Sequence, residues 1–79
     1  MNNHNKAFGR ALRRLRQEAN KSQEILGFEA GLDRTYISLL ELGQRSPTLD
    51  TIMVLCTALN VSISNIAVAV EEEMKDLHG

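Results

Sequence analysis

Apolar residues recur along this chain at three- and four-residue spacings and nowhere alternate over a useful length, so the pattern is helical throughout. Phe8, Leu12, Leu15 and Ala19 mark one face of a first helix from about Lys6 to Ala19, ended at Asn20-Lys21. Its arginines fall mostly off that stripe. A second helix starts at Ser22, whose hydroxyl can accept from an orphan N–H of the first turn, with Glu24 favoured there by the helix dipole. Ile25, Leu26 and Ala30 give it apolar contacts, and Gly31 stops it in a conformation that glycine adopts at low cost. Asp33 caps a third helix that runs to about Leu42 and turns Tyr36, Ile37 and Leu40 inward; Gly43 ends it. Thr48 or Ser46 opens a fourth, through about Leu59, with Leu49, Ile52, Met53, Leu55 and Cys56 on a broad apolar face. Ser62 caps a fifth, with the stripe Ile63, Ile66, Ala67, Val70, Met74 and Leu77. The expected fold is all-α: one compact five-helix domain over residues 1–79.

Composition narrows this picture. At 79 residues the chain is near the lower limit for a self-supporting core, and with 4% aromatics and no tryptophan the core must be aliphatic. Cys56 is the one cysteine, so no intrachain disulfide can staple the fold. That favours a reducing, cytoplasmic setting and leaves dimerisation as a source of extra stability. The start Met1-Asn2-Asn3-His4-Asn5 is polar, and the longest apolar run, Ile66 to Val70, is too short for a bilayer. No membrane contact is expected.

The net charge of −1 looks unsuited to nucleic acid, but the distribution matters more than the sum. Lys6, Arg10, Arg13, Arg14, Arg16 and Lys21 face only Glu18 within the first 21 residues. Glu71, Glu72, Glu73 and Asp76 against Lys75 give the last nine residues −3, which leaves +2 for residues 1–70. Singly, such charges solvate helix faces; their segregation is the informative part.

Two short helices meeting tightly at Gly31 fit a helix-turn-helix, in which one helix crosses the DNA backbone and the next enters the major groove. Gly27 is placed where the helices cross. Periodicity alone equally allows a plain helical hairpin. The residues Ser22-Gln23-Glu24, Gly31, Asp33-Arg34-Thr35-Tyr36-Ile37-Ser38, Glu41 and Gly43-Gln44-Arg45-Ser46-Pro47 resemble the lambda-repressor-like, or Xre-type, helix-turn-helix family from residue 6 to about 70. The resemblance implies a recognition helix at Asp33–Leu42 that reads double-stranded DNA. Arg34, Thr35, Ser38 and Leu39 become candidates for base edges, with Tyr36 a half-buried candidate beside them. Ser22, Gln23, Gln44, Arg45 and Ser46 become candidates for phosphate, together with the loop amides from Gly43 to Ser46. Arg34 has the planar fork that suits guanine O6 and N7, and Thr35 offers both a hydroxyl and a methyl. Glu41 is expected to pair with an arginine.

Within the family, the run Asp33 to Ser38 is similar to that of controller proteins of restriction–modification systems, which bind paired palindromic sites as dimers and regulate their own operon. RNA polymerase is then a further candidate partner. Two departures stand out: Gly27 replaces a usual alanine, which should loosen the second helix, and Leu39 is large and apolar near the DNA-facing side. For a twofold dimer the candidate interface is the fifth helix with the end of the fourth, through Ile66, Val70, Met74 and Leu77. The rival reading is an antitoxin-type protein-interaction module of the same fold. Enzyme chemistry has little to stand on, because His4, His78 and Cys56 are scattered and no glycine-rich phosphate loop appears. The same scarcity argues for no metal and no cofactor.

Overall fold

The computed structural model describes residues 3–78. Five helices follow one another: α1 (Asn3–Glu18), α2 (Gln23–Ala30), α3 (Arg34–Glu41), α4 (Leu49–Leu59) and α5 (Ile63–His78), with no strand among the described residues. Each boundary has a local cause. The Ser22 hydroxyl accepts from Ile25 N–H (3.0 Å) and the Asp33 carboxylate from Thr35 N–H (2.7 Å). Thr48, rather than Ser46, caps α4 by accepting from Thr51 N–H (3.1 Å). Ser62 and Asn65 cap α5 reciprocally, each side chain accepting from the other's N–H at 3.0 Å. Gly31 (φ 71°) and Asn60 (φ 56°) end α2 and α4 in the left-handed conformation, and Asn20 (φ 58°) turns the chain out of α1.

α1 starts at Asn3, three residues before the expected start at Lys6 and ahead of the apolar period. Its polar first turn is held from outside the helix, since the Ser46 hydroxyl donates to Asn5 Oδ1 (3.2 Å) and Gly43 lies against the Lys6 backbone.

α1 packs on α3 and α5, and α2 on α3 and α4. Leu12, Leu26, Ile37, Leu40 and Leu55 are fully enclosed, with Phe8, Cys56, Leu59 and Ile66 completing the core. Each such aliphatic side chain contributes about 1.5–3 kcal/mol by leaving water. Burial pushes the Cys56 thiol up, which keeps it neutral and inert inside this cluster. Ile66, expected at a subunit interface, is instead a core residue at 3% exposure, because α5 packs on α1 and brings it into the core cluster.

α1 can approach α3 so closely because position 9 is glycine. A β-carbon there would stand 2.5 Å from the Glu41 carbonyl oxygen and would also overlap that of Leu40. On its other side α1 is tied to α5 by Arg14, which donates to Glu72 (2.9 Å) and Glu73 (3.1 Å). Part of the acidic triplet, expected simply to be solvated, is therefore an inter-helix tether; the Arg14–Glu72 pair, exposed on both sides, contributes under about 1 kcal/mol, while Glu73 is the better enclosed partner. Among the described residues, no single helix is long and apolar enough to cross a membrane.

Candidate nucleic-acid interface

The α2–α3 turn is set by backbone contacts. Leu32 N–H donates to the Gly27 carbonyl (2.8 Å) across the left-handed Gly31. A β-carbon at Gly27 would sit 2.6 Å from the Leu32 carbonyl oxygen, whereas one at Gly31 would meet nothing within 4 Å. Gly31 is thus needed for its dihedral angle, Gly27 for space. Gly27 lies where the two helices cross, as expected, and the missing methyl lets the turn close while α2 runs unbroken over Gln23–Ala30.

α3 then presents its first turn outward. Arg34 and Thr35 are exposed directly behind the Asp33 cap. Tyr36 is half-buried against the core, as expected, while Ser38 and Leu39 are half-buried on the following turn. At the C-terminal end of α3 Leu42 is a further apolar side chain open to water, 57% exposed, and one not anticipated above. Its position three beyond Leu39 was the available signal.

Behind this surface lies a buried polar network. Glu41, with its side chain 4% exposed, accepts from Arg16 Nε (2.6 Å), Arg16 Nη2 (3.1 Å) and Gln23 Nε2 (3.0 Å). Arg16 Nη1 also donates to the Lys21 carbonyl (2.8 Å). The hydrogen bonds to Glu41, outweighing desolvation, hold the Arg16 guanidinium above its ordinary pKa, so it stays charged. One carboxylate therefore fixes α1, the start of α2 and the end of α3 relative to one another. It also holds Gln23, whose second amide hydrogen remains to be donated. Ser22, accepting in its cap, likewise keeps its own hydroxyl proton.

The loop after α3 differs from expectation in one respect. Gly43 (φ 75°) ends the helix, and its N–H and that of Gln44 donate to the carbonyls of Leu40 (3.1 Å) and Leu39 (2.9 Å). Those two amides are committed to the helix end and cannot grip phosphate at the same time. What the loop offers outward is the exposed side chains of Gln44 and Arg45, together with Ser46, which is bonded to Asn5.

Next to this loop, α5 and α4 border a largely apolar groove of about 610 Å³, lined in part by Phe8, Pro47, Ile52, Ile63, Ile66 and Val70 together with Asn5 and Ser46. Val70, Met74 and Leu77 are half-buried along α5, but only Val70 reaches this groove. No group of three histidine, cysteine or carboxylate side chains that could hold a metal ion occurs among the described residues.

A capped helix whose first turn projects from a glycine-closed turn, braced by the helix before it, is the geometry of a helix-turn-helix reader. Comparison with known proteins agrees. Residues 12–66 match the helix-turn-helix family. The chain is 46% identical over 61 residues to control protein C.BamHI of Bacillus amyloliquefaciens, across 76% of this chain and 75% of that one. Among solved structures, the restriction–modification controller protein C.AhdI from Aeromonas hydrophila gives a TM-score of 0.77 at 42% identity, covering 78% of this chain and 94% of that one. The controller protein C.Esp1396I, solved as a tetramer in complex with its natural 35 base-pair operator, gives 0.87 at 26% identity over 94% of this chain and 97% of that one. The protein belongs to the helix-turn-helix family, and within it to the restriction–modification control proteins. These are transcription regulators, not enzymes.

Proposed function

We propose that this protein binds a palindromic operator in double-stranded DNA as a homodimer and controls a restriction–modification operon that includes its own gene. The observation that carries the reading is the exposed pair Arg34–Thr35 at the capped start of α3, with Ser22 and Gln23 lining the same surface cleft as Arg34. In the major groove, Arg34 takes a guanine edge and Thr35 a base edge or a thymine methyl. Ser38 and Leu39 follow one turn on, with Tyr36 at the groove margin. Ser22 and Gln23 hold one phosphate run, while Gln44, Arg45 and Ser46 hold the other, positioning the helix without reading sequence.

One recognition helix covers few base pairs, and a twofold dimer supplies the second half-site. The α4–α5 groove is the surface for that contact: Ile63 stands 45% exposed at its rim, and Val70 lies half-buried along it. Met74 and Leu77 extend the same helix beyond the groove. The setting is the cytoplasm, and activation of the operon engages RNA polymerase beside the operator.

In vitro selection from random duplex DNA at near-physiological salt tests the reading. The expected product is a palindrome whose half-sites lie about one helical turn apart. Recovery of no motif by folded protein would overturn it and favour the antitoxin-type interaction module.

A further inference from the structure

We infer that α1 contributes a phosphate-binding edge of its own, the row Lys6, Arg10 and Arg13, which extends the DNA contact beyond the helix-turn-helix. The inference rests on the DNA-binding reading above.

The first observation is which cations the fold neutralises. Within the first 21 residues, Arg14 is paired with Glu72 and Glu73, Arg16 with Glu41, and Lys21 with Glu29. Lys6, Arg10 and Arg13 are exposed and make no ion pair among the described residues. The split follows the helix surface. Spacings of four and three put Lys6, Arg10 and Arg13 on one strip of α1. Arg14 turns to α5 and Arg16 to α3, where acids meet them. Acidic residues thus cancel the cations that face the fold and leave a strip of like charges three and four residues apart, which repel one another.

The second observation is where the strip lies. Arg13 borders a surface cleft shared with Gln23, Ser38 and Leu42, so one end of the row abuts the recognition helix and the start of α2. At the other end, the Lys6 backbone underlies Gly43, 2.9 Å from where a β-carbon would stand, immediately before Gln44 and Arg45. The row therefore joins the two groups of phosphate candidates on either side of α3. A polyanion laid along that border relieves the repulsion and releases counterions. Contacts of this kind add affinity and salt dependence without base preference.

Binding of the full chain to its selected operator and to a random duplex, measured by fluorescence anisotropy over a salt series, tests the row. Each phosphate contact adds about 0.9 to the slope of log K against log salt, so Arg13→Gln should flatten it by about 1.8 in a dimer, on both duplexes alike. Arg14→Gln removes the same charge from the next residue, yet it should leave the slope at the wild-type value because Glu72 and Glu73 already neutralise Arg14. Arg13→Lys should restore the slope, which a folding defect would not. The pair Lys6→Gln with Arg10→Gln should flatten it independently of position 13. Equal wild-type slopes for Arg13→Gln and Arg14→Gln, with steep binding by the wild type, would overturn the inference and leave the operator reading intact. Wild-type protein that binds neither duplex would instead overturn the DNA-binding reading itself.

Discussion

The α2–α3 face and the α4–α5 groove are held to opposite standards of definition. Behind the first, almost every group is fixed: Asp33 caps, Gly27 and Gly43 admit close backbone contacts, and Glu41 takes three hydrogen bonds from two elements. The second is bordered by apolar side chains without directional partners, with Ile63 45% exposed and Ile52 and Val70 half-buried along it. A surface that reads base edges must hold side chains within a fraction of an ångström, and only directional hydrogen bonds and backbone contacts specify position that closely. A surface that meets a second copy of itself needs apolar area first, because association is driven by its removal from water.

The largest effect expected on this contrast comes from the network. Glu41→Ala strands the part-buried Arg16 guanidinium and releases Gln23, and should cost about 4 kcal/mol of stability, read from the urea midpoint. A loss under about 1 kcal/mol would mean that α1, α2 and α3 hold their angles without the carboxylate. Next is Gly9→Ala, where the added methyl meets the carbonyls of Leu40 and Glu41 and forces the α1–α3 crossing apart. The expected cost is about 2–3 kcal/mol, a drop in Tm of roughly 10–20 °C. An unchanged Tm would show that the helices part without penalty.

On the other side of the comparison, Ile63→Glu should weaken self-association about a hundredfold, roughly 2.7 kcal/mol, while thermal unfolding of the monomer barely changes. Ile63 is the sharper probe than Val70, since Val70 also packs on its own core and its loss would confuse folding with assembly. Sedimentation showing an unaltered dimer would remove this groove from the interface.

The contrast also explains what could be read from the chain. Helix ends were legible because Ser22, Asp33, Gly31, Asn60 and Ser62 act within a few residues of themselves. Pairing of Glu41 with an arginine was foreseen, but its sharing with Gln23 was not, because that depends on how α2 and α3 sit relative to α1. The demand for glycine at position 9 was invisible for the same reason, since its reason lies in carbonyls more than thirty residues away. The extra turn at the start of α1 left no apolar period to detect, being held by Ser46 and Gly43. For Ile66, the stripe on α5 marked an apolar residue but could not say whether the core or a partner covers it. The outward candidates Arg34, Thr35, Gln44 and Arg45 are exposed where the pattern put them.

The smallest expected effect falls on the recognition face alone and leaves the fold untouched. Arg34 is exposed and makes no ion pair among the described residues, so Arg34→Ala should unfold at the wild-type temperature. Its loss should appear only against DNA, as relaxed preference at one base pair in each half-site, about 2 kcal/mol per half-site when the preferred guanine is compared with the other bases. Arg45→Ala supplies the contrast: it removes the same charge from the same surface, yet as a phosphate contact it should lower affinity on every sequence alike. Repeating the selection with both variants separates the two roles. A wild-type motif from Arg34→Ala, bound more weakly at every position, would move Arg34 to the phosphates and leave Thr35, Ser38 and Leu39 to carry the sequence.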